Sequence, residues 1–196
     1  DLDHFKAVND TYGHMFGDAV LTEAARRMLK LIPPNALLCR IGGDEFQVLI
    51  PQRCAKARLE QLGNDIIHSL SQPYSIDGNR AVIGASVGIA IAPEHGGTSE
   101  RLVRSADLAL YAAKDAGRGR YRVFSDDLHV AARERNQLEE ELRLAIDTGG
   151  LQLHYQPVVN TATEEISGFE ALMRWNHPKQ GWISPEKFVP VAEDAG

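Results

Sequence analysis

The chain has 196 residues, of which 43% are hydrophobic, and this is enough for one or two domains with real cores. Its 21 basic and 27 acidic residues give a net charge of −6, which argues against a general nucleic-acid binder because such proteins need a basic face. No apolar run approaches the roughly 20 residues of a membrane helix. Cys39 and Cys54 lack the spacing of a metal site or a disulfide framework, so we expect both cysteines to be packing residues in a reducing cytoplasm.

The first ten residues form a short acidic and aromatic segment. It contains Asp1-Leu2-Asp3, Lys6 and Asn9-Asp10, so carboxylates, a cation and an amide lie close together in the sequence. After this segment, Asp18 is placed to cap a helix whose apolar residues recur at helical spacing, and Pro33-Pro34 ends that helix.

A hairpin is predicted where two strand-like apolar runs flank two glycines and two carboxylates. Gly42 and Gly43 supply the backbone freedom of a two-residue turn, and Asp44 and Glu45 place oxygen ligands at its tip. Taken alone, this pattern is typical of an ordinary solvated hairpin. Together with Asp1 and Asp3, its carboxylates could hold the divalent ions used in two-metal phosphoryl chemistry.

Alternating helices and strands follow the hairpin. The pattern predicts a helix over 55–70, strands over 74–76 and 82–91, a helix over 99–116 and a strand over 121–124. Glycines within the longer strand indicate close backbone approach. This order, an antiparallel-containing sheet with packed helices, predicts an α+β fold of the ferredoxin-like palm type.

A polar helix with one apolar side is predicted from about residue 125 to residue 148. We expect a rigid linker rather than a short dimer-forming coil, because the apolar stripe is brief. Gly149-Gly150 then breaks the helix before a second domain. The predicted organisation is therefore a first domain over 1–124, a linker over 125–150 and a second domain over 151–196.

Three ordered motifs in the first domain resemble the GGDEF family of diguanylate cyclases. They are Asp1-Leu2-Asp3-His4-Phe5-Lys6 with Asn9-Asp10, Gly13-His14 and Gly17-Asp18; Arg40 with Gly42-Gly43-Asp44-Glu45-Phe46; and Ala106-Asp107 with Ala109-Leu110-Tyr111, Ala113-Lys114, Gly117-Arg118 and Arg120. The resemblance implies the same palm-type fold and a homodimer in which each domain presents one GTP. It also implies attack by the 3′-hydroxyl of one GTP on the α-phosphorus of the other, performed twice to make cyclic di-GMP.

The same resemblance assigns metal-binding roles to residues of the first segment and the hairpin. It implies that Mg²⁺ or Mn²⁺ is held by Asp1, the Leu2 carbonyl, Asp44 and Glu45. A second role stays open for Glu45, since the matching position is also assigned to deprotonation of the attacking hydroxyl.

Substrate contacts are implied at five further positions. Asn9 and Asp18 match residues that bind the guanine edge, and their amide and carboxylate offer what N1, N2 and O6 require. Lys6, Lys114 and Arg118 match phosphate contacts, as point charges and a bidentate fork suited to a triphosphate.

One family feature is absent. Many members carry an Arg-x-x-Asp product-inhibition motif shortly ahead of the two glycines, and the matching positions here are Pro33 and Ala36. We therefore predict weak or no feedback inhibition by cyclic di-GMP through that site. Product inhibition retained in the full-length protein would contradict this prediction.

A second resemblance begins after the polar helix. The residues concerned are Leu153-His154-Tyr155-Gln156-Pro157-Val158-Val159, Gly168-Phe169-Glu170-Ala171-Leu172-Met173-Arg174-Trp175 and His177-Pro178. They are similar to the opening of an EAL domain, the family that hydrolyses cyclic di-GMP and folds as a (β/α) barrel. The resemblance implies Glu170 as a metal ligand and Gln156 and Arg174 as contacts to the dinucleotide. Closing such a barrel takes roughly 200 further residues, and the resemblance implies that most of the metal ligands and the catalytic lysine lie outside this chain.

Both ends of the chain are expected to be cut, because there is no initiator Met and the first residue already belongs to a motif. We predict an active cyclase in the full-length protein, while this chain alone is expected to be unstable or inactive because it lacks a central strand. The alternative is a cyclic di-GMP phosphodiesterase whose GGDEF domain is a GTP-binding regulatory module. A non-catalytic scaffold is less favoured, because the Asp44-Glu45 pair is intact. These domains are expected in the cytoplasm, and an upstream region can anchor the full-length protein to a membrane.

Overall fold

The computed structural model describes residues 1–195, and the chain divides into a first unit, residues 1–129, and a second unit, residues 130–196. The first unit contains β1 (Leu2–Asp3), α1 (Phe5–Tyr12), α2 (His14–Leu29), β2 (Leu37–Gly42), β3 (Glu45–Leu49), α3 (Lys56–Leu70), β4 (Tyr74–Ile76), β5 (Asn79–Ala81), β6 (Gly84–Ala85), β7 (Val87–Ile89), α4 (Ser99–Asp115) and β8 (Tyr121–Val123). The helix α5 (Asp126–Asp147) begins in the first unit, and the second unit continues with β9 (Leu151–Val159), β10 (Ile166–His177), β11 (Gly181–Ile183) and α6 (Pro185–Ala195).

The strands of the first unit form both antiparallel and parallel pairs. β1 pairs with β6, β2 with β3 and β4 with β5, all antiparallel, whereas β7 pairs with β8 in parallel. Helices α3 and α4 both contact β7 and β8. The predicted α+β class is confirmed, and α3 and α4 agree with the predicted helices to within one residue at each end.

The single strand predicted over 82–91 is wrong. Two short strands lie there, separated by Ser86, because the segment changes partner from β1 to β8 at that residue. The predicted close approach at the glycines of this segment is confirmed. A Cβ on Gly84 would lie 3.0 Å from a carboxylate oxygen of β1, and one on Gly88 would overlap the Ala106 carbonyl oxygen.

The start of α2 also differs from the prediction. The helix begins at His14, with Gly13 at φ 83° as its N-cap residue, so Asp18 lies inside the helix and does not cap it. Gly13 also ends α1, and its N–H donates to the Asn9 carbonyl oxygen at 2.8 Å. A glycine can take this backbone conformation with little strain, so one residue both ends α1 and begins α2.

The hairpin is confirmed, but its turn is shifted by one residue. Gly42 is paired with Glu45, which leaves Gly43 and Asp44 as the two central residues of the turn. Gly43 has the positive φ of 50°, and the Arg40 guanidinium donates to its carbonyl oxygen at 2.8 Å. The sequence prediction placed both glycines in the turn because it did not anticipate the register irregularity between Arg40 and Gly42.

One hydrophobic core occupies the first unit. It joins β1, α1, α2, α3 and the strands from β4 to β6, and its buried members are Leu2, Phe5, Val8, Phe16, Val20, Leu21, Ala24, Met28, Leu62, Ile66, Leu70, Tyr74, Ala81, Ile83 and Ala85. Because Leu2 is only 1% exposed, β1 is fixed against this core. The residues on either side of Leu2 are therefore held in place.

The second unit is a three-stranded antiparallel sheet in the order β11-β10-β9. Its core brings Trp175 together with Phe188 of α6 and with Leu138 and Leu142 of α5. The apolar stripe of the predicted linker helix is thus part of this core. Among the described residues, no helix is long and apolar enough to cross a membrane.

Candidate nucleotide and metal site

The hairpin turn and β1 meet through backbone contacts. The Leu2 N–H donates to the Asp44 carbonyl oxygen at 3.3 Å, and the Ser86 N–H donates to the Asp1 carbonyl oxygen at 3.0 Å. The first of these bonds brings the first acidic segment and the hairpin carboxylates to one place in the fold, and the second fixes Asp1 against the core strands. The sequence motifs are separated by about forty residues, so the core and these bonds create the site.

Carboxylates gather around Asp1. The Lys114 ammonium and the carboxylates of Asp3, Asp44 and Glu45 all act electrostatically on the backbone nitrogen of Asp1. All four side chains therefore lie within electrostatic range of one point. Three of them are predicted site residues.

Lys114 contacts the Asp1 carboxylate directly. Its Nζ lies 2.8 Å from Asp1 Oδ2, and the Asp1 side chain is only 6% exposed while that of Lys114 is 31% exposed. A carboxylate so far from water is costly unless a cation neutralises it. In this structure the cation of α4 takes that role, although the resemblance implied a phosphate contact for Lys114.

The donor chemistry fits a divalent ion delivered with a nucleotide. Mg²⁺ is bound by one or two carboxylates together with substrate phosphates, and a closed protein cage is not required. In the part of the chain that the structure describes, no group of three or more His, Cys, Asp or Glu side chains could hold a metal by itself. Asp1, the Leu2 carbonyl, Asp44 and Glu45 would therefore need phosphate oxygens to complete the shell.

Asp107 is a neighbour of the site to which sequence reasoning gave no role. Burial raises the pKa of its carboxyl, and the negative charge of Glu45 raises it further. The Asp107 carboxyl group on α4 thus lies near the hairpin, in addition to the carboxylates of Asp44 and Glu45. Its position in the Ala106-Asp107 motif was the available signal, but the motif alone does not indicate which way the side chain points.

The predicted guanine contacts lie on α1 and α2, and the two helices meet beside Asn9. A Cβ built on Gly17 would overlap Asn9 Oδ1 and lie 3.2 Å from the Phe5 ring. Gly17 is buried, Asn9 is partly buried and Asp18 is exposed. The absence of a side chain at Gly17 therefore leaves the space in which the Asn9 amide lies, one residue before Asp18.

Two predicted phosphate contacts remain at the surface. Lys6 on α1 and Arg118 in the loop after α4 are both exposed. Arg118 has a positive φ of 59°, and its N–H donates to the carbonyl oxygens of Ala113 and Lys114 at 3.1 and 3.2 Å. The loop thus places Arg118 immediately after the helix that carries Lys114.

The three predicted residues of the second unit lie on two paired strands. Gln156 on β9 and Glu170 on β10 are directly opposite each other, so their side chains share one face of the sheet. Arg174 lies four residues after Glu170 on the same strand and therefore on that face. Its guanidinium donates to the Met173 carbonyl oxygen at 3.0 Å.

Family models match both parts of the chain. The model for the diguanylate cyclase GGDEF domain matches residues 1–120, and that for the EAL domain matches residues 139–196. The chain belongs to the GGDEF family. Its GGDEF domain is followed by the beginning of an EAL domain, as the sequence resemblance predicted.

Solved GGDEF domains confirm the palm-type fold. The GGDEF domain of PA1120 (YfiN or TpbB) from Pseudomonas aeruginosa is 37% identical with a TM-score of 0.61, covering 64% of this chain and 78% of that one. The GGDEF domain of DgcB from Caulobacter crescentus, solved in complex with cyclic di-GMP, is 32% identical with a TM-score of 0.57, covering 63% of this chain and 73% of that one.

Curated relatives place the chain among GGDEF and EAL signalling proteins of cyclic di-GMP. The bifunctional diguanylate cyclase/cyclic di-GMP phosphodiesterase MucR of Pseudomonas aeruginosa is 43% identical over the whole of this chain, and the cyclic di-GMP phosphodiesterase PdeR of Escherichia coli is 40% identical. The chain spans 28% and 29% of the length of these two relatives. Their names include both directions of cyclic di-GMP metabolism.

Proposed function

We propose that the first unit, within the full-length protein, synthesises cyclic di-GMP from two molecules of GTP. The observation that supports this most is the meeting of β1 and the hairpin, where the Leu2 N–H bonds to the Asp44 carbonyl oxygen and the buried Asp1 carboxylate faces the Lys114 cation. A buried carboxylate, a hairpin with two further carboxylates and a lysine ammonium are groups that metal-assisted phosphoryl transfer uses.

In the proposed reaction, Asp1, the Leu2 carbonyl and Asp44 hold Mg²⁺ or Mn²⁺, with Glu45 as a fourth ligand or as the base for the attacking 3′-hydroxyl. The bound ion supplies neutralisation of the charge that develops on the phosphate oxygens. Lys114 neutralises Asp1 in the absence of nucleotide and contacts the phosphates in its presence.

The remaining residues position the substrate. Asn9 and Asp18 bind the guanine edge, and Lys6 and Arg118 bind the triphosphate. A homodimer supplies the second GTP, because each domain presents one nucleotide to the other. Positioning of two GTP molecules accounts for much of the rate enhancement in such a reaction.

The second candidate function is hydrolysis of cyclic di-GMP by the EAL domain, with the first unit acting as a GTP-binding regulator. It is favoured by the 40% identity to PdeR, which is named a phosphodiesterase, and by the placement of Gln156 opposite Glu170. In this function Glu170 is a metal ligand, and Gln156 and Arg174 contact the dinucleotide.

The experiment is a turnover assay on the full-length protein with GTP and Mg²⁺, with products separated by chromatography. We expect cyclic di-GMP from the wild type, a loss of about 100-fold or more in Glu45→Gln because acid–base and metal contacts of this kind contribute at least that factor, and normal synthesis in Glu94→Gln, whose side chain is 71% exposed. Folded, dimeric protein that makes no product, but hydrolyses cyclic di-GMP faster when GTP is added, would favour the second function.

A further inference from the structure

Asp3 is the most enclosed carboxylate near the site. The residue is 4% exposed, and its two oxygens accept hydrogen bonds from Ser86 Oγ at 2.9 and 3.1 Å. Its Oδ2 also accepts a bond from the Gly119 N–H at 3.0 Å. Both donors are neutral, so these contacts satisfy the carboxylate by hydrogen bonding.

The two donors belong to distant parts of the first unit. Ser86 is fully buried, at 0% exposure, and lies between β6 and β7 at the point where the segment changes partner. Gly119 lies in the loop between α4 and β8. Asp3 therefore ties β1, which contains Leu2 and directly follows Asp1, to the loop that carries Arg118.

This loop needs such an anchor because of its backbone conformation. Gly117, Arg118 and Gly119 all have positive φ, at 104°, 59° and 60°. A left-handed conformation is unfavourable for a residue with a Cβ, and it persists where surrounding contacts impose it. The bond from the Gly119 N–H to Asp3 acts on the residue directly after Arg118.

Enclosure also distinguishes Asp3 from the carboxylates that are proposed to bind metal. A Cβ on Gly84 would lie 3.0 Å from Asp3 Oδ2 and 3.2 Å from Asp3 Cβ, so the β6 backbone closes off that side. Asp1, in contrast, contacts the charged group of Lys114. Of the two aspartates in the first motif, one faces a cation and the other is enclosed by hydrogen-bond donors.

We propose that Asp3 is a positioning residue and not a metal ligand. It holds Arg118 in a fixed position relative to Asp1, so that one triphosphate can reach both residues. The inference rests on the proposed GTP site and specifies how its phosphate-binding half is held. Because the contacts of Asp3 depend on its acceptor oxygens more than on its charge, an asparagine can replace this residue. The asparagine oxygen can accept from the Gly119 N–H, and its amide can donate to Ser86 Oγ.

The test compares Asp3→Asn, Asp3→Ala and Ser86→Ala in the full-length protein. Hydrogen exchange is followed at the Gly119 amide, and affinity for α,β-methylene-GTP with Mg²⁺ is measured by calorimetry. We expect Asp3→Ala to lose protection at Gly119 and to bind the analogue at least about tenfold more weakly, since a displacement of about 1 Å can cost about 100-fold in a positioned site. Asp3→Asn should retain both properties, and Ser86→Ala should fall between them.

Steady-state kinetics add a second readout. We expect Asp3→Ala to raise KM for GTP more than it lowers kcat, with an unchanged Mg²⁺ requirement. If Asp3→Asn behaves like Asp1→Asn, with lost activity and a higher Mg²⁺ requirement, Asp3 is a metal ligand and the inference is overturned. Unchanged protection of the Gly119 amide from exchange in Asp3→Ala would also overturn the inference. A wild-type protein that protects this amide but binds no analogue would instead overturn the proposed GTP site itself.

Discussion

The two units hold their predicted site residues in different ways. In the first unit, Asp1 and Lys114 come from opposite ends of the domain and meet in a contact with a 6% exposed carboxylate. In the second, Gln156 and Glu170 are brought together by the register of two adjacent strands, and both are exposed. The first site therefore depends on the packing of a whole core, whereas the second arrangement depends on one strand pair.

Burial of apolar residues differs in the same way. The first unit surrounds β1 with a core that spans helices and strands. In the second unit, Trp175 is 1% exposed, but Leu153, Tyr155 and Phe169 are 53%, 63% and 64% exposed. The described core of the second unit thus lies at one end of its sheet, and a change there should have large effects on that unit alone.

The largest expected effect is at Trp175. Its ring packs edge-on against His177 and Phe188, with centroids 5.4 and 5.6 Å away, so Trp175→Ala should destabilise the second unit by about 3–5 kcal/mol. Trp182, which is 59% exposed, provides a matched control whose replacement by Ala should cost under about 1 kcal/mol. Both tryptophans of this chain lie in the second unit, so the remaining one reports its unfolding.

Binding of α,β-methylene-GTP to the first unit should be unchanged in Trp175→Ala. If analogue binding is lost when the second unit unfolds, the site of the first unit is not held by its own core. The contrast between the two units would then be wrong.

A somewhat smaller effect is expected at Gly88, where β7 lies against the backbone of α4. An added methyl group would overlap the Ala106 carbonyl oxygen and the Leu110 nitrogen, so the helix must shift and the cost should be about 1–3 kcal/mol. Gly97→Ala is the control, because nothing lies within 4 Å of a Cβ there. Urea unfolding should show the lower stability of Gly88→Ala. Analogue binding should also weaken, because α4 carries Lys114. Equal stability of the Gly88→Ala and Gly97→Ala variants would contradict the packing described.

A more local effect is expected at Gly17. The methyl group of Gly17→Ala would displace the Asn9 amide, so affinity for the GTP analogue should fall by up to about tenfold, the equivalent of one lost hydrogen bond. Affinity for the matching ATP analogue should not fall, since Asn9 is proposed to bind guanine. A parallel loss for both analogues in calorimetry would show that Gly17 affects the fold and not base recognition.

The smallest expected effect is at Asp107. Burial and the Glu45 charge raise the pKa of its carboxyl above 3.8, so the folded state holds its proton more tightly than the unfolded state does. Stability should therefore fall as pH rises through that raised pKa, and Asp107→Asn should remove this loss. Unfolding free energies measured between about pH 3 and pH 7 should favour the variant slightly at the upper end; a less stable variant at neutral pH would contradict the assignment.

The sequence was most informative where local pattern decides structure. The hairpin, α3 and α4 follow from apolar periodicity and glycine placement, and the family motifs identified the fold. The pattern did not indicate that Gly13 begins α2, because Asp18 has the side chain of a typical cap residue and Gly13 does not. It also could not show that residues 82–91 change partner at Ser86, since that depends on contacts with distant strands.

The site was predictable as a set of residues but not as an arrangement. The carboxylate pattern alone made Asp1 and Asp3 equal candidates for metal binding, and the family resemblance assigned that role to Asp1 only. The fold adds a physical difference between them, because Ser86 and Gly119 enclose Asp3 while Lys114 faces Asp1. Such contacts join residues more than eighty positions apart, and a pattern read along one chain does not contain them.

The most direct test of the contrast between the two units is one reaction with GTP and Mg²⁺ in three forms of the full-length protein. Cyclic di-GMP and its linear hydrolysis product are quantified for the wild type, Glu45→Gln and Glu170→Gln. We predict that Glu45→Gln abolishes synthesis and that Glu170→Gln accumulates at least as much cyclic di-GMP as the wild type. Synthesis that persists in Glu45→Gln would contradict the assignment of cyclase chemistry to the first unit.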